Sequence, residues 1–169
     1  MRLAPAGFRS HAALASTASG SAEVMKGDRL RVSVEPAYIT ALGLAVFAFA
    51  QLEWAAICCC ERMAPNSINT GPIRTANYWA KQLKQLAAAL PSSSTQIELC
   101  TAADEFTELV RKRNSLLHAQ PGTADDGTQG LFRDGRFWTA DMIDDAADAF
   151  TACNDRLVAL LHGDLAGPP

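Results

Sequence analysis

One long apolar segment constrains the fold of this chain more than any other feature. It extends from about Pro36 to Met63, and its central stretch, 41–50, contains no polar side chain. A membrane-spanning helix needs about 20 predominantly apolar residues, whereas the apolar run is broken after residue 50 by Gln51, Glu53, Glu61 and Arg62. The segment therefore predicts a central helix that is buried nearly all round, in a protein without a membrane association.

Capping and helix-breaking residues divide the rest of the chain into further helices. The predicted helices span residues 36–63, 75–90, 96–119 and 140–161. Asp134 and Gly135 lie between two short apolar stretches and are typical of a two-residue β-hairpin turn, here within about 131–138. Abundant alanine and an aromatic content of only 7% favour helices over sheets. The sequence thus predicts an all-α domain, a four-helix antiparallel bundle with a small β-hairpin between helices 3 and 4.

The ends of the chain lack the apolar periodicity of the helices. We assign residues 1–34 to a disordered N-terminal tail, 35–163 to one helical domain and 164–169 to a disordered C-terminus. The tail contains Arg, Ser and Ala but no acidic residue before Glu23, a composition that organelle transit peptides share. An over-extended gene start, with Met25 as the true first residue, is another explanation of the tail.

Charge and cysteine content exclude several classes of function. The formal net charge of −3 does not suit a protein that coats nucleic acid non-specifically, so any nucleic-acid role requires a small local site. Cys58, Cys59 and Cys60 would point about 100° apart on a helix and cannot converge on one metal ion. Together with Cys100 and Cys153, they are interpreted as small buried side chains in a reducing cytoplasm. The sequence predicts neither a metal nor a cofactor, and it contains no phosphate-binding loop or dinucleotide fingerprint.

Two charged residues interrupt otherwise apolar helical stripes. In the third helix, Arg113 follows Phe106 and Val110 at helical spacing, and in the first helix Glu53 follows Phe49. A charge that is buried without a partner carries a large desolvation penalty. Glu53 and Arg113 therefore either meet across the helix pair or extend to the surface.

The end of the third helix carries a short motif with chemical meaning. Arg113 and His118 enclose four residues, and Asn114 directly follows the arginine. This pattern resembles the R-x(4–6)-H motif of the HEPN superfamily (higher eukaryote and prokaryote nucleotide-binding), and the resemblance covers approximately Pro36 to Gly163. It implies an all-α domain with metal-independent endoribonuclease activity in toxin–antitoxin, phage-defence or RNA-processing systems. Arg111 and His118 enclose six residues and also fit the looser spacing, but Arg113 is the preferred arginine because Asn114 follows it.

These residue types suit the cleavage of RNA by its own 2′-hydroxyl group. The reaction needs a base for the hydroxyl proton, an acid for the leaving 5′-oxygen and a cation for the charge that grows on the phosphate. Histidine exchanges protons near neutral pH, and arginine binds phosphate oxygens with a planar fork of N–H groups. A single His118 cannot act as acid and base at once, and the resemblance implies a homodimer whose interface holds two motifs. The expected partners are RNA, a second copy of the chain, and an antitoxin or regulatory protein in the cytoplasm.

Helix geometry leaves the identity of the functional arginine open. Residues five apart on an ideal helix are separated by about 140°, so Arg113 and His118 do not share a face. Arg111, Asn114 and His118 do share one, which leaves Arg113 free to turn inward toward Glu53. A distortion near the helix end is the other possibility.

A different class of function also fits the same residues. The chain is then a catalytically silent helical dimerisation or adaptor domain, in which Glu53 and Arg113 form a purely structural pair.

Overall fold

Helices dominate the part of the chain that the computed structural model describes, residues 32–68 and 74–166. In chain order the elements are α1 (Pro36–Met63), α2 (Ala76–Ala89), α3 (Ser94–Leu117), β1 (Gln120–Thr123), β2 (Gln129–Arg133), β3 (Arg136–Trp138) and α4 (Ala140–His162). The prediction of four helices in a mostly helical domain is confirmed.

The helices begin where residues with the right backbone preferences stand. Pro36 is the first residue of α1, a position at which its missing N–H removes no helical hydrogen bond. The other three helices begin after hydroxyl side chains that accept a hydrogen bond from a backbone N–H of the first turn. These N-caps are Thr75, Ser93 and Thr139.

A three-stranded antiparallel sheet connects α3 to α4, with the strand order β1-β2-β3. Arg133 at the end of β2 pairs with Arg136 at the start of β3. The two residues between them, Asp134 and Gly135, have φ angles of 51° and 75°. Such left-handed conformations in both turn residues match the right-handed twist of the flanking strands, and Asp-Gly tolerates them well.

Strand β1 is the element that the sequence analysis missed. The third helix ends at Leu117 and not at residue 119, because the chain from Gln120 pairs with β2 instead of continuing the helix. Pro121 and Gly122 look like turn residues in the sequence, but proline is compatible with the edge strand of a sheet. Gly122 allows the close approach of Phe132, because a Cβ atom at this position would lie 2.9 Å from the ring and the ring would have to shift.

An aromatic cluster forms the centre of the core. The ring of Phe49 on α1 packs edge-on against Phe150 on α4, with ring centres 5.1 Å apart, and stacks with Phe106 on α3 at 6.3 Å. Helix α1 packs against α2 and α4, and α3 packs against the same two helices. Phe106 and Phe150 are fully buried, so the three rings connect α1, α3 and α4 in one core.

Helix α1 is not buried nearly all round, so that prediction is wrong. Its neighbours cover one side, and large apolar side chains are exposed on the other. We call this surface the exposed α1 face; its members are Ile39, Leu44, Val46, Phe47 and Trp54. By length and composition alone α1 could cross a membrane, but the core helix of a soluble protein passes the same test.

The residues that follow α4 contact the rest of the domain. Leu165 packs against the core. Thr95 donates a hydrogen bond to the Asp164 carboxylate at 2.8 Å, and Arg62 donates one to the Ala166 carbonyl at 2.8 Å. Residues 1–31, including Met25, and 167–169 lie outside the described residues.

Candidate functional site

Arg113 points into the protein and meets two other residues that the sequence singled out. Its Nη2 lies 3.7 Å from Oε2 of Glu53, and each of the two side chains is 24% exposed. Its guanidinium carbon lies 4.5 Å from the ring centre of Phe49. Its Nη1 donates a hydrogen bond to Oδ1 of Asn114 at 2.9 Å. Arg113 is thus held by an ion pair, a cation–π contact and a hydrogen bond, which leaves it poorly placed to bind a ligand.

The environment of this pair is partly desolvated. Burial raises the pKa of Glu53, and the positive charge of Arg113 counteracts that rise. Nε of Arg113 is buried and has no hydrogen-bond partner among the described residues. The pair therefore anchors the end of α3 to α1, and removing either charge leaves the other without compensation.

We expect Arg113→Leu to destabilise the fold more at pH 7 than at pH 4. The cost at pH 7 should be roughly 1–3 kcal/mol, below the 3–5 kcal/mol of a fully buried pair. Loss of Arg113 raises the pKa of Glu53 further, so protonation of Glu53 stabilises the folded state and the cost declines as the pH falls. Urea denaturation at both pH values measures this difference.

Glu53→Gln provides the matched control for that experiment. In the Glu53→Gln background, Arg113→Leu should show a smaller cost with little dependence on pH, because no carboxylate remains to be desolvated. Additive effects of the two substitutions at pH 7 would contradict the coupling.

Arg111 and His118 lie apart from the Arg113 cluster. The Arg111 side chain is 67% exposed and pairs with Glu108 one turn earlier. His118 is the exposed C-cap residue of α3, and its N–H donates to the carbonyl of Asn114 at 3.0 Å. Its ring forms no hydrogen bond or ion pair with the described residues. Helix α3 is helical as far as Leu117, the residue that precedes His118.

A cavity of about 460 Å³ lies beside the His118 end of α3. Residues from the end of α3, the β2–β3 hairpin and the start of α4 form its walls. We call it the basic cavity; its lining residues are Lys112, Ser115, Arg133, Asp134, Arg136, Trp138, Met142 and Asp145. Arg133 links the cavity to the motif, because its Nη1 donates a hydrogen bond to the carbonyl of His118 at 3.0 Å.

The cavity contains cationic side chains that are available to an anion. Arg133 lies 3.4 Å from the carboxylate of Asp134. By contrast, Lys112 and Arg136 form no ion pair with any residue in the described part of the chain. Three cations and two carboxylates leave an excess of one positive charge, in a chain whose net charge is −3.

None of the motif residues predicted to form the site, Arg111, Arg113, Asn114 and His118, lines this cavity. The motif region pointed to basic residues at the end of α3, but it favoured Arg111 and Arg113, which do not line the cavity. The Asp134-Gly135 turn could have indicated two further residues of the cavity. Residues that flank a two-residue turn pair across the strands with their side chains on one face, which places Arg133 and Arg136 together.

The cysteines fit a packing role. Cys59, Cys60 and Cys153 are buried and form no disulfide, and burial raises the pKa of each thiol to about 12. Cys58 and Cys100 are half-buried and also free. Within residues 32–68 and 74–166, no three His, Cys, Asp or Glu side chains are grouped so that they could hold a metal ion.

Comparison of the chain with protein-family models, with curated proteins and with solved structures gives no match.

Proposed function

We propose that this chain is a HEPN-like, metal-independent endoribonuclease of a bacterial toxin or phage-defence system. The observation that carries the proposal is the basic cavity beside the His118 end of the motif helix. Arg133 lines this cavity and donates a hydrogen bond to the backbone carbonyl of His118. Cleavage requires proton transfer next to phosphate-binding cations. His118 provides the first function, and the cavity provides the second.

The proposed reaction transfers two protons around one phosphodiester. A base removes the proton of the ribose 2′-hydroxyl, and the 2′-oxygen then forms a bond to phosphorus. The bond from phosphorus to the 5′-oxygen breaks, and an acid protonates that oxygen. The products are a 2′,3′-cyclic phosphate and a 5′-hydroxyl. Cations around the phosphate stabilise the charge that develops on its oxygens.

The proposal assigns a role to each motif residue, and the position of the residue supports that role. The exposed ring of His118 is the proton-transfer group. Lys112 and Arg136 bind the phosphate, and Arg111 on the solvent side binds the RNA backbone. Arg113 and Asn114 hold the helix end in place through the contact with Glu53.

The same proposal includes the arrangement of the helices. Contacts of α1 with α2 and α4, and of α3 with the same two helices, support an antiparallel four-helix bundle with a hairpin between α3 and α4. Such a bundle presents the motif at one end. There the sheet adds Arg133 and Arg136 to Lys112 of α3.

A homodimer completes the proposed active site. One His118 cannot supply both proton transfers, and a two-fold axis brings a second copy of every residue. The exposed α1 face offers the surface, since it is large, apolar and uncharged and can pair with itself without repulsion. Two copies joined in this way form a cytoplasmic enzyme that an antitoxin or another regulatory protein restrains.

RNA cleavage in the presence of a chelator tests the proposed function. We expect the purified chain to cut single-stranded RNA equally well in EDTA and in magnesium, because side-chain cations stabilise the phosphate. A fluorescently labelled oligonucleotide separated on a denaturing gel measures the rate. Activity that EDTA abolishes and magnesium or manganese restores would contradict the mechanism.

One observation favours the catalytically silent adaptor as a second candidate. Arg113 contacts Glu53, Phe49 and Asn114 inside the domain, as a structural residue would. On this alternative the chain dimerises through the exposed α1 face but cleaves no RNA under any condition. The chelator experiment separates the two, because only the enzyme produces fragments.

A further inference from the structure

The basic cavity has the size and the mixed polarity of a small-molecule site. Ligand-binding cavities commonly have volumes of about 300–1,000 Å³, and this one has about 460 Å³. It combines cations with a carboxylate and with apolar surface from Trp138 and Met142. A ligand that matches all three features carries an anionic group, hydroxyl groups and a flat apolar part.

We propose that the basic cavity binds one ribonucleotide unit, with its phosphate on Lys112 and Arg136 and a ribose hydroxyl on Asp145. The inference rests on the proposed function in one respect: if the chain is a ribonuclease, the ribonucleotide is part of an RNA strand. It names cavity residues that lie outside the R-x(4–6)-H motif.

The phosphate assignment follows from the charges that are available. Lys112 and Arg136 have no ion-pair partner among the described residues, so a phosphate displaces no protein carboxylate from them. Arg133 is already engaged by Asp134 and by the His118 carbonyl. Charge-assisted hydrogen bonds to phosphate are the strongest polar contacts that such a site can form.

The hydroxyl assignment follows from Asp145. A carboxylate repels a bare phosphate but accepts a hydrogen bond from a hydroxyl group. Asp145 also has no ion-pair partner in the described ranges. A ligand with a ribose therefore uses the carboxylate favourably, whereas inorganic phosphate or a deoxyribose does so less well. The apolar wall of Met142 and Trp138 is left for the base.

Calorimetric titration of the full chain with adenosine 3′-monophosphate tests the inference. We expect the nucleotide to bind at least about tenfold more tightly than inorganic phosphate or 2′-deoxyadenosine 3′-monophosphate, because each lacks a contact to a charged group. Lys112→Gln and Arg136→Gln should each weaken nucleotide binding by roughly tenfold or more. Asp145→Ala should remove the preference for ribose over deoxyribose.

Lys81→Gln is the matched control, since it removes one positive charge from the exposed surface of α2, away from the cavity. It should bind as the original chain does, and thermal unfolding checks that all variants are folded. Equal affinities for phosphate and nucleotide, or unchanged binding in Lys112→Gln and Arg136→Gln, would overturn the inference. The His118→Ala chain should still bind the nucleotide. If the original chain binds it but cleaves no RNA, the cavity assignment stands and the proposed enzymatic function fails.

Discussion

Replacing His118 with alanine is expected to lower the rate of RNA cleavage by at least about 100-fold, the usual contribution of a general acid or base. The His118 ring is exposed and forms no hydrogen bond with the described residues, so the fold should not depend on it. Its backbone N–H and carbonyl keep their partners in the variant. Lost activity therefore reports lost proton transfer and not unfolding.

His162 provides the control for that substitution. It also lies exposed in the last turn of a long helix, but at the end of α4 and away from the basic cavity. His162→Ala should retain full activity. Equal cleavage rates for the His118→Ala and His162→Ala chains would show that His118 takes no part in the chemistry.

The second large effect concerns the exposed α1 face. Phe47→Glu is expected to weaken dimerisation by at least about 100-fold, because the two-fold axis buries the new charge twice without a partner. Sedimentation velocity over a range of protein concentrations measures the shift from dimer to monomer. RNA cleavage should decline in parallel, since the monomer has a single His118.

Ile97→Glu is a closely matched control for Phe47→Glu. Phe47 and Ile97 are both 66% exposed, but Ile97 lies on α3 and outside the exposed α1 face. The Ile97→Glu chain should remain dimeric and active. Full activity from a chain that sedimentation shows to be monomeric would contradict the composite site.

The helices could be predicted from the sequence because local signals determine them. Pro36, Thr75 and Thr139 mark helix starts through backbone and capping preferences that do not depend on distant residues. The approach of Arg113 to Glu53 could also be predicted, because helical spacing places both residues on the sides of their helices that face the core. In each case the relevant information lies within a few turns of one helix.

Features that depend on distant segments could not be predicted in the same way. Strand β1 forms only because β2 is available to pair with it, and its Pro-Gly sequence signals a turn when considered alone. The composition of α1 indicates surplus apolar surface, but which of its residues form the exposed α1 face depends on how the other helices pack against it. The basic cavity combines side chains from α3, the hairpin and α4, so its residue set appeared only in three dimensions.

The placement of the arginines changes how the motif is interpreted. Spacing alone favoured Arg113 as the phosphate ligand because Asn114 follows it. In the structure that guanidinium contacts Glu53 and Phe49, whereas Lys112 and Arg136 form no ion pair with the residues that the structure describes. In the proposed enzyme, the motif contributes a proton-transfer group and a structural anchor, while the hairpin contributes phosphate-binding charge.

The chemical ends of the RNA fragments test the central claim most directly. A labelled single-stranded RNA is incubated with the chain in EDTA, and mass spectrometry identifies both product ends. Attack by the 2′-hydroxyl predicts a 2′,3′-cyclic phosphate on one fragment and a 5′-hydroxyl on the other, with both products formed at least about 100-fold more slowly by the His118→Ala chain. Fragments that carry a 3′-hydroxyl and a 5′-phosphate, or RNA that remains intact, would contradict the account.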